Sequence, residues 1–374
     1  MDQPQTESTI SLPMNLGLND GTYCPQACVD VMARFNARTS LRNYTDGANQ
    51  RVLDAIAAHD GVAPENIYVA NGSGPILKQA MQVLIEQGVK SSVTGVIKHL
   101  ANKAGYPIIT PTLTYFKVPI KAENRGLAVR WVPLTPESGF TLDMDALETQ
   151  IKRGPGLVYI ASPNNPTGNV LITREQLVPL LERYPKHTFW IDEAYVQYAD
   201  PTVHTPVADL VPKHPNLVVG RTFSFAYGLA GIRMGYLLAR PDFIAHLEGQ
   251  VVNYRLGVLQ EELLIAALSD RDHLPWLRGV CAEQRRVICD AINAMDGLQA
   301  FTESVSNFVL CRTTDGGPAK ALTDHVEAAG VHLKTFASVA GQTYPEYFRI
   351  TLGLADENLF LMDLIRAANE ARRL

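Results

Sequence analysis

The sequence predicts an α/β protein, with a mostly parallel central sheet flanked by helices and a smaller α+β unit after it. The first observation is a series of short apolar runs at 66–70, 106–109, 157–161, 188–191, 216–219 and 234–238. They do not alternate with polar residues and are rich in β-branched side chains, as expected of strands covered on both faces. The second is the helix-period segments between these runs, at 50–59, 76–86 and 173–182, the last opened by a capping threonine, Thr173. Strands alternating with helices build a parallel sheet. The third is a change of pattern after Phe243, which becomes largely helical to about Met295, then mixed, and ends in a helix at 357–373. The division expected is an N-terminal arm with part of the small domain at 1–45, a large α/β domain at 46–255 and a small domain at 256–374.

Composition narrows the function. The chain has 374 residues, 46% hydrophobic and 19% charged, with a formal net charge of -5. That is length for two or three domains with a substantial core, and it lacks the charge-rich, apolar-poor signature of disorder. The slight negative balance offers no field for a nucleic acid backbone or an anionic membrane, which directs attention to small molecules. The opening Met-Asp-Gln-Pro-Gln-Thr-Glu lacks a basic start and an apolar run, and no later run reaches membrane-span length, so a cytoplasmic protein is expected. Five cysteines without paired metal spacing read as buried reduced thiols, with no metal expected. There is no internal repeat, low-complexity tract or Gly/Ser linker.

Four strings follow apolar strands, where α/β sheets place ligands. Asn-Gly-Ser-Gly-Pro at 71–75 leads into a helix, where small residues and the helix N-terminus suit an anion, or simply a tight turn. Ser-Pro-Asn-Asn-Pro-Thr-Gly at 162–168 follows the third run and is dense in turn formers. Ile-Asp-Glu-Ala-Tyr at 191–195 ends a buried strand in two acids, which demand a cation or hydrogen-bond donors. The fourth string runs from Arg221 to Tyr236 and carries Ser224, Tyr227 and Arg233.

Together these strings closely resemble the fold-type I pyridoxal-phosphate aminotransferases, particularly the histidinol-phosphate aminotransferase branch, and the match runs through nearly the whole chain in the expected order. The resemblance implies that Asp192 sits against the pyridine nitrogen of the cofactor, that Asn165 and Tyr195 bond its phenolic oxygen, and that Tyr115 stacks on its ring. It places the phosphate on Ser73, Gly74, Ser224 and Arg233, with Tyr44 reaching across from the partner of a homodimer. Arg349 resembles the family's carboxylate clamp, a bidentate role that suits guanidinium, and Lys334 lies near a second basic position. The implied ligands are an amino acid, a keto acid or an amino-phosphate, with pyridoxal 5'-phosphate or pyridoxamine 5'-phosphate.

One position departs from the family. Its Schiff-base lysine lies eight residues before the arginine, and eight before Arg233 stands Phe225. A phenyl ring can neither bond the cofactor covalently nor carry a proton. Neither Tyr227 nor Lys78 is a family alternative, although Tyr227 is retained as a candidate base. A second departure is the long connection at 88–105, where an extra helix is expected near 96–103. Three readings follow: an enzyme that binds its cofactor noncovalently and works without the lysine, a silent binder of cofactor or adduct, and a pocket repurposed for another anion.

Overall fold

The computed structural model describes residues 10–36, 38, 41–90, 106–124, 126–250, 255–339 and 342–372. A short strand β1 (Met14–Asn15) precedes the strands of the central sheet: β2 (Ile67–Ala70), β3 (Ile108–Pro111), β4 (Val129–Val132), β5 (Leu157–Ala161), β6 (Thr188–Asp192), β7 (Leu217–Thr222) and β8 (Gly235–Leu238). The order across the seven-stranded sheet is β2-β8-β7-β6-β5-β3-β4. From β4 to β7 neighbouring strands run parallel, while β8 is antiparallel to both β7 and β2. The predicted mostly parallel α/β fold is therefore present. Every residue of β5 and β7 is buried, consistent with their unalternating apolar sequence.

Two differences from the sequence reading have local causes. The edge strand β4, Val-Arg-Trp-Val, was not anticipated, because three of its four residues stay partly exposed and it lacks a continuous apolar run. The helix Ser73–Lys90 begins three residues before the expected start, taking Ser73 and Gly74 into its first turn. Pro75 does not prevent this, because first-turn N–H groups have no partner within the helix. The helix Arg174–Arg183 is capped as read: Thr173 accepts from Gln176 N, and the Gln176 side chain returns to the Thr173 N–H.

A second, antiparallel sheet follows, of order β12-β13-β10-β9, from β9 (Leu298–Ala300), β10 (Phe308–Thr313), β12 (Lys334–Val339) and β13 (Gln342–Thr351). Its apolar face is covered by the helices His273–Asn293, Ala319–Ala328 and Ala355–Ala371 through Ile288, Leu322 and Ile365. The N-terminal strand β1 pairs parallel with β11 (Val331–His332), tying residues 14–15 to this layer. The helix Val258–Ser269 places Leu263 and Leu264 in the cluster that contains Val52, Ile56 and Val219 of the first layer. Cys28, Cys281, Cys289 and Cys311 are buried free thiols, whereas Cys24 is exposed. Among the described residues no helix is long and apolar enough to cross a membrane. The extra helix expected near 96–103 lies outside the described residues.

Candidate active site

The carboxyl ends of β5 and β6, the loop after β7 and the N-terminus of the helix Ser73–Lys90 meet at one pocket, enclosing about 610 Å³ including the solvent at its mouth. Seven residues singled out from the sequence line it: Ser73, Gly74, Tyr115, Asn165, Asp192, Tyr195 and Phe225. Trp190 and Gly220, which sequence reasoning did not single out, line it as well.

The adjacent acids that end β6 have different fates because successive strand residues face opposite ways. Glu193 is buried and taken by Arg221, with Nη2 to Oε2 at 2.6 Å, and the same guanidinium reaches Asp60 at 2.5 Å. That buried triad is structural. Asp192 faces the pocket, where it accepts from Tyr159 Oη at 2.7 Å and from the Ala194 N–H at 3.2 Å. Among the described residues no cationic side chain forms an ion pair with it. Burial pushes its carboxyl up to about 6, against the pull of the two donors. Asp192 thus offers the pocket a carboxylate that no cationic side chain among the described residues matches.

Beside Asp192, the Tyr195 hydroxyl accepts from Asn19 Nδ2 at 2.9 Å and Asn165 Nδ2 at 3.3 Å. Asn165 Oδ1 in turn accepts from Arg349 Nη1 at 2.5 Å, and Arg349 Nη2 donates to the Gly17 carbonyl at 2.6 Å. Arg349 is 5% exposed, lies against the rings of Phe308 and Phe336, and leaves its Nε without a hydrogen-bond partner. Burial lowers its pKa to about 10, so an incoming carboxylate would relieve an uncompensated buried charge.

The N-terminus of the helix Ser73–Lys90 borders the pocket as well, through Ser73 and Gly74. Ser73 and Gly74 open the helix, where free N–H groups carry positive potential. Gly72 sits at φ 96°, and a Cβ there would stand 2.9 Å from Arg233 Nη2, so this turn and the arginine approach as closely as they do only with glycine. Ser224 is buried, its N–H held by Thr222 Oγ1.

Six expected residues, Tyr44, Ser224, Tyr227, Arg233, Lys334 and Arg349, are not among those that line the pocket. Tyr227 is turned into the core between Phe223 and His273, with its hydroxyl buried and without a hydrogen-bond partner, which removes it as a pocket base. Lys78 is exposed one turn along its helix. Lys334 pairs in register with Arg349 across β12 and β13, and its Nζ lies 5.8 Å from the Phe116 ring. Burial, Arg349 and Lys117 all lower its pKa. Tyr44 is 85% exposed. Sequence reasoning missed Asn19, Gly17 and Tyr159, since Leu-Asn-Asp-Gly reads as an ordinary turn and Tyr159 as one more strand residue.

Comparison with known proteins settles the family. The sequence profile described as aminotransferase class I and II matches residues 12–360. The chain belongs to this aminotransferase family. A histidinol-phosphate aminotransferase of Anaeromyxobacter sp. (strain Fw109-5) is 30% identical over 359 residues, covering 96% of this chain and 91% of the relative. Among solved structures, the histidinol-phosphate aminotransferase from Clostridium acetobutylicum superposes with a TM-score of 0.81 at 18% identity, covering 96% of this chain and 99% of that one. The histidinol-phosphate aminotransferase from Sinorhizobium meliloti in complex with pyridoxal-5'-phosphate gives 0.78 at 24% identity, covering 97% and 92%. These aminotransferases share the fold described above.

Proposed function

We propose that this class I and II aminotransferase homologue binds pyridoxal 5'-phosphate or pyridoxamine 5'-phosphate noncovalently and acts on an amino acid or amino-phosphate without a Schiff-base lysine. The observation that carries the reading is Asp192, a pocket carboxylate held by two donors with no cationic partner among the described residues. A protonated pyridine nitrogen is the cation it fits. When bound, the cofactor ring would serve as electron sink for the substrate's α-carbon. Asp192 would keep the nitrogen protonated, Tyr195 and Asn165 would bond the phenolic oxygen, and Tyr115 would cover the ring. Ser73, Gly74, Ser224 and Arg233 would hold the phosphate. Arg349 would orient a carboxylate, with Lys334 nearby for a second anionic group. The same reading includes a homodimer in which the exposed Tyr44 completes the partner's phosphate site, and the division of the chain at 45 and 255.

A specific observation favours a second reading, a catalytically silent binder of cofactor or adduct. Phe225 lines the pocket and its ring stacks on Tyr195, so no proton-carrying group stands at that position. A visible absorption titration with both cofactor forms, followed by borohydride reduction and intact mass, tests the shared premise. Saturable binding without a reduced adduct is expected; absence of binding would sink both readings. Incubation of the protein with pyridoxamine phosphate and a panel of keto acids, read by mass spectrometry, then separates enzyme from silent binder. Amino acid products are expected, and none at cofactor saturation would favour the silent binder.

A further inference from the structure

Asn19 stands at φ 63°, in the left-handed region that few residues other than glycine and asparagine occupy readily. It is 1% exposed, and every polar group of its side chain is engaged. Its backbone N–H donates to Thr351 Oγ1 at 3.1 Å, and that hydroxyl donates back to Asn19 Oδ1 at 3.0 Å. The carbonyl accepts from Asn307 Nδ2 at 3.1 Å. With Oδ1 committed to Thr351, Nδ2 faces Tyr195 and donates to its hydroxyl at 2.9 Å.

The second donor to that hydroxyl is equally constrained. A guanidinium only donates, so the Asn165 atom facing Arg349 is the oxygen, and Asn165 Nδ2 faces Tyr195. A phenol oxygen has two acceptor sites and one hydrogen. Both acceptor sites of Tyr195 are filled by amides, and neither amide presents an acceptor to its hydrogen. Tyr195 itself lines the pocket.

We infer that Asn19 is a positioning residue, which fills an acceptor site of Tyr195 and leaves the tyrosine O–H to point into the pocket as a donor to an oxygen of the bound ligand. The inference rests on the cofactor reading above, where that oxygen is the phenolic one of the pyridine ring. It also accounts for the residue type: asparagine combines tolerance of positive φ with an acceptor for Thr351 and a donor for Tyr195 on one short side chain.

The test compares pyridoxamine phosphate with its 3-deoxy analogue, which lacks the phenolic oxygen, by absorption or fluorescence titration of the full chain. The native protein is expected to prefer the hydroxylated ligand by about 10-fold, the worth of one hydrogen bond. Asn19→Asp keeps the shape and the backbone preference but offers Tyr195 an acceptor, turning its hydrogen away from the pocket. The preference should then fall to about 2-fold or less. Asn19→Gly, which also suits positive φ, removes the donor and should reduce the preference in the same direction, so the test survives a misfolded aspartate variant. A purely structural role would weaken both ligands alike and leave their ratio intact, which would overturn the inference while the cofactor reading stands. Native protein that binds neither ligand would overturn both.

Discussion

The rings of Phe225 and Tyr195 lie face to face, with centroids 4.5 Å apart and planes 12° from parallel. Position 225 thus borders the Tyr195 ring, and under the proposed function the phenyl group stands where the resemblance puts the Schiff-base amine. Restoring that amine is the direct test. In Phe225→Lys, a covalent adduct with pyridoxal phosphate is expected, trapped by borohydride and mapped to residue 225 by peptide mass. An unmodified residue 225 at cofactor saturation would show that the pocket does not present this position to the cofactor aldehyde.

Asp192 predicts opposite effects on stability and binding. Its folded carboxyl lies above the ordinary range, so the stability it contributes is present at low pH and lost as pH rises through about 6. Asp192→Asn should therefore stabilise the cofactor-free protein at pH 8, by on the order of 1–3 kcal/mol. That gain should shrink as the pH falls towards 4.5, and saturable cofactor binding should disappear. Thermal unfolding at several pH values together with an absorption titration measures both; an unchanged or lowered unfolding midpoint at pH 8 would contradict the electrostatic account.

Tyr159 supports the charged form of that carboxylate through its 2.7 Å hydrogen bond. Tyr159→Phe removes a donor to the anion, which raises the Asp192 pKa further. Cofactor affinity at neutral pH should weaken by roughly 10-fold, in line with a charge-assisted bond. The low-pH decline in binding should also move to higher pH. Dissociation constants measured from pH 5 to 8 decide the matter, and an unshifted decline would mean that Tyr159 has no hold on the titration.

Arg349 makes two hydrogen bonds to the protein and none to a carboxylate among the described residues. Arg349→Lys keeps the charge but loses the planar fork. Carboxylate ligands such as amino acids or keto acids should lose about 10-fold or more in affinity, as expected for a bidentate contact reduced to a point charge, with the cofactor changed far less. Spectral titrations of the cofactor-loaded protein report both constants; equal loss for cofactor and carboxylate would point to a structural role.

Tyr227 provides a control. Its hydroxyl is buried without a hydrogen-bond partner, so Tyr227→Phe should leave stability unchanged or raise it by up to about 1 kcal/mol. Cofactor titration curves should overlay those of the native protein. A clear loss of binding would return Tyr227 to the site.

Much of the site was legible because its parts are short strings beside buried strands. Once the apolar runs are strands, chain connectivity alone delivers Asn165, Asp192 and the Ser224 to Arg233 loop to one sheet edge. The eight-residue spacing from Phe225 to Arg233, by which the resemblance places the lysine position, is likewise a property of the chain. Which side chain of a string enters the pocket is another matter. Glu193 and Asp192 are neighbours, yet one is consumed by Arg221 and the other faces the cavity. Tyr227, two residues from Phe225, turns into the core because loop residues follow no fixed period. The contacts that tune the site join distant parts of the chain: Asn19 to Tyr195 across 176 residues, and Arg349 to Gly17 across 332. Local sequence settled which apolar runs become strands and which strings follow them, although β3 and β7 run two and three residues beyond the expected ends. Packing of the N-terminal segment and β13 against that edge decided which hydroxyl, carboxylate and guanidinium are oriented, because hydrogen-bond direction is set by neighbours in space.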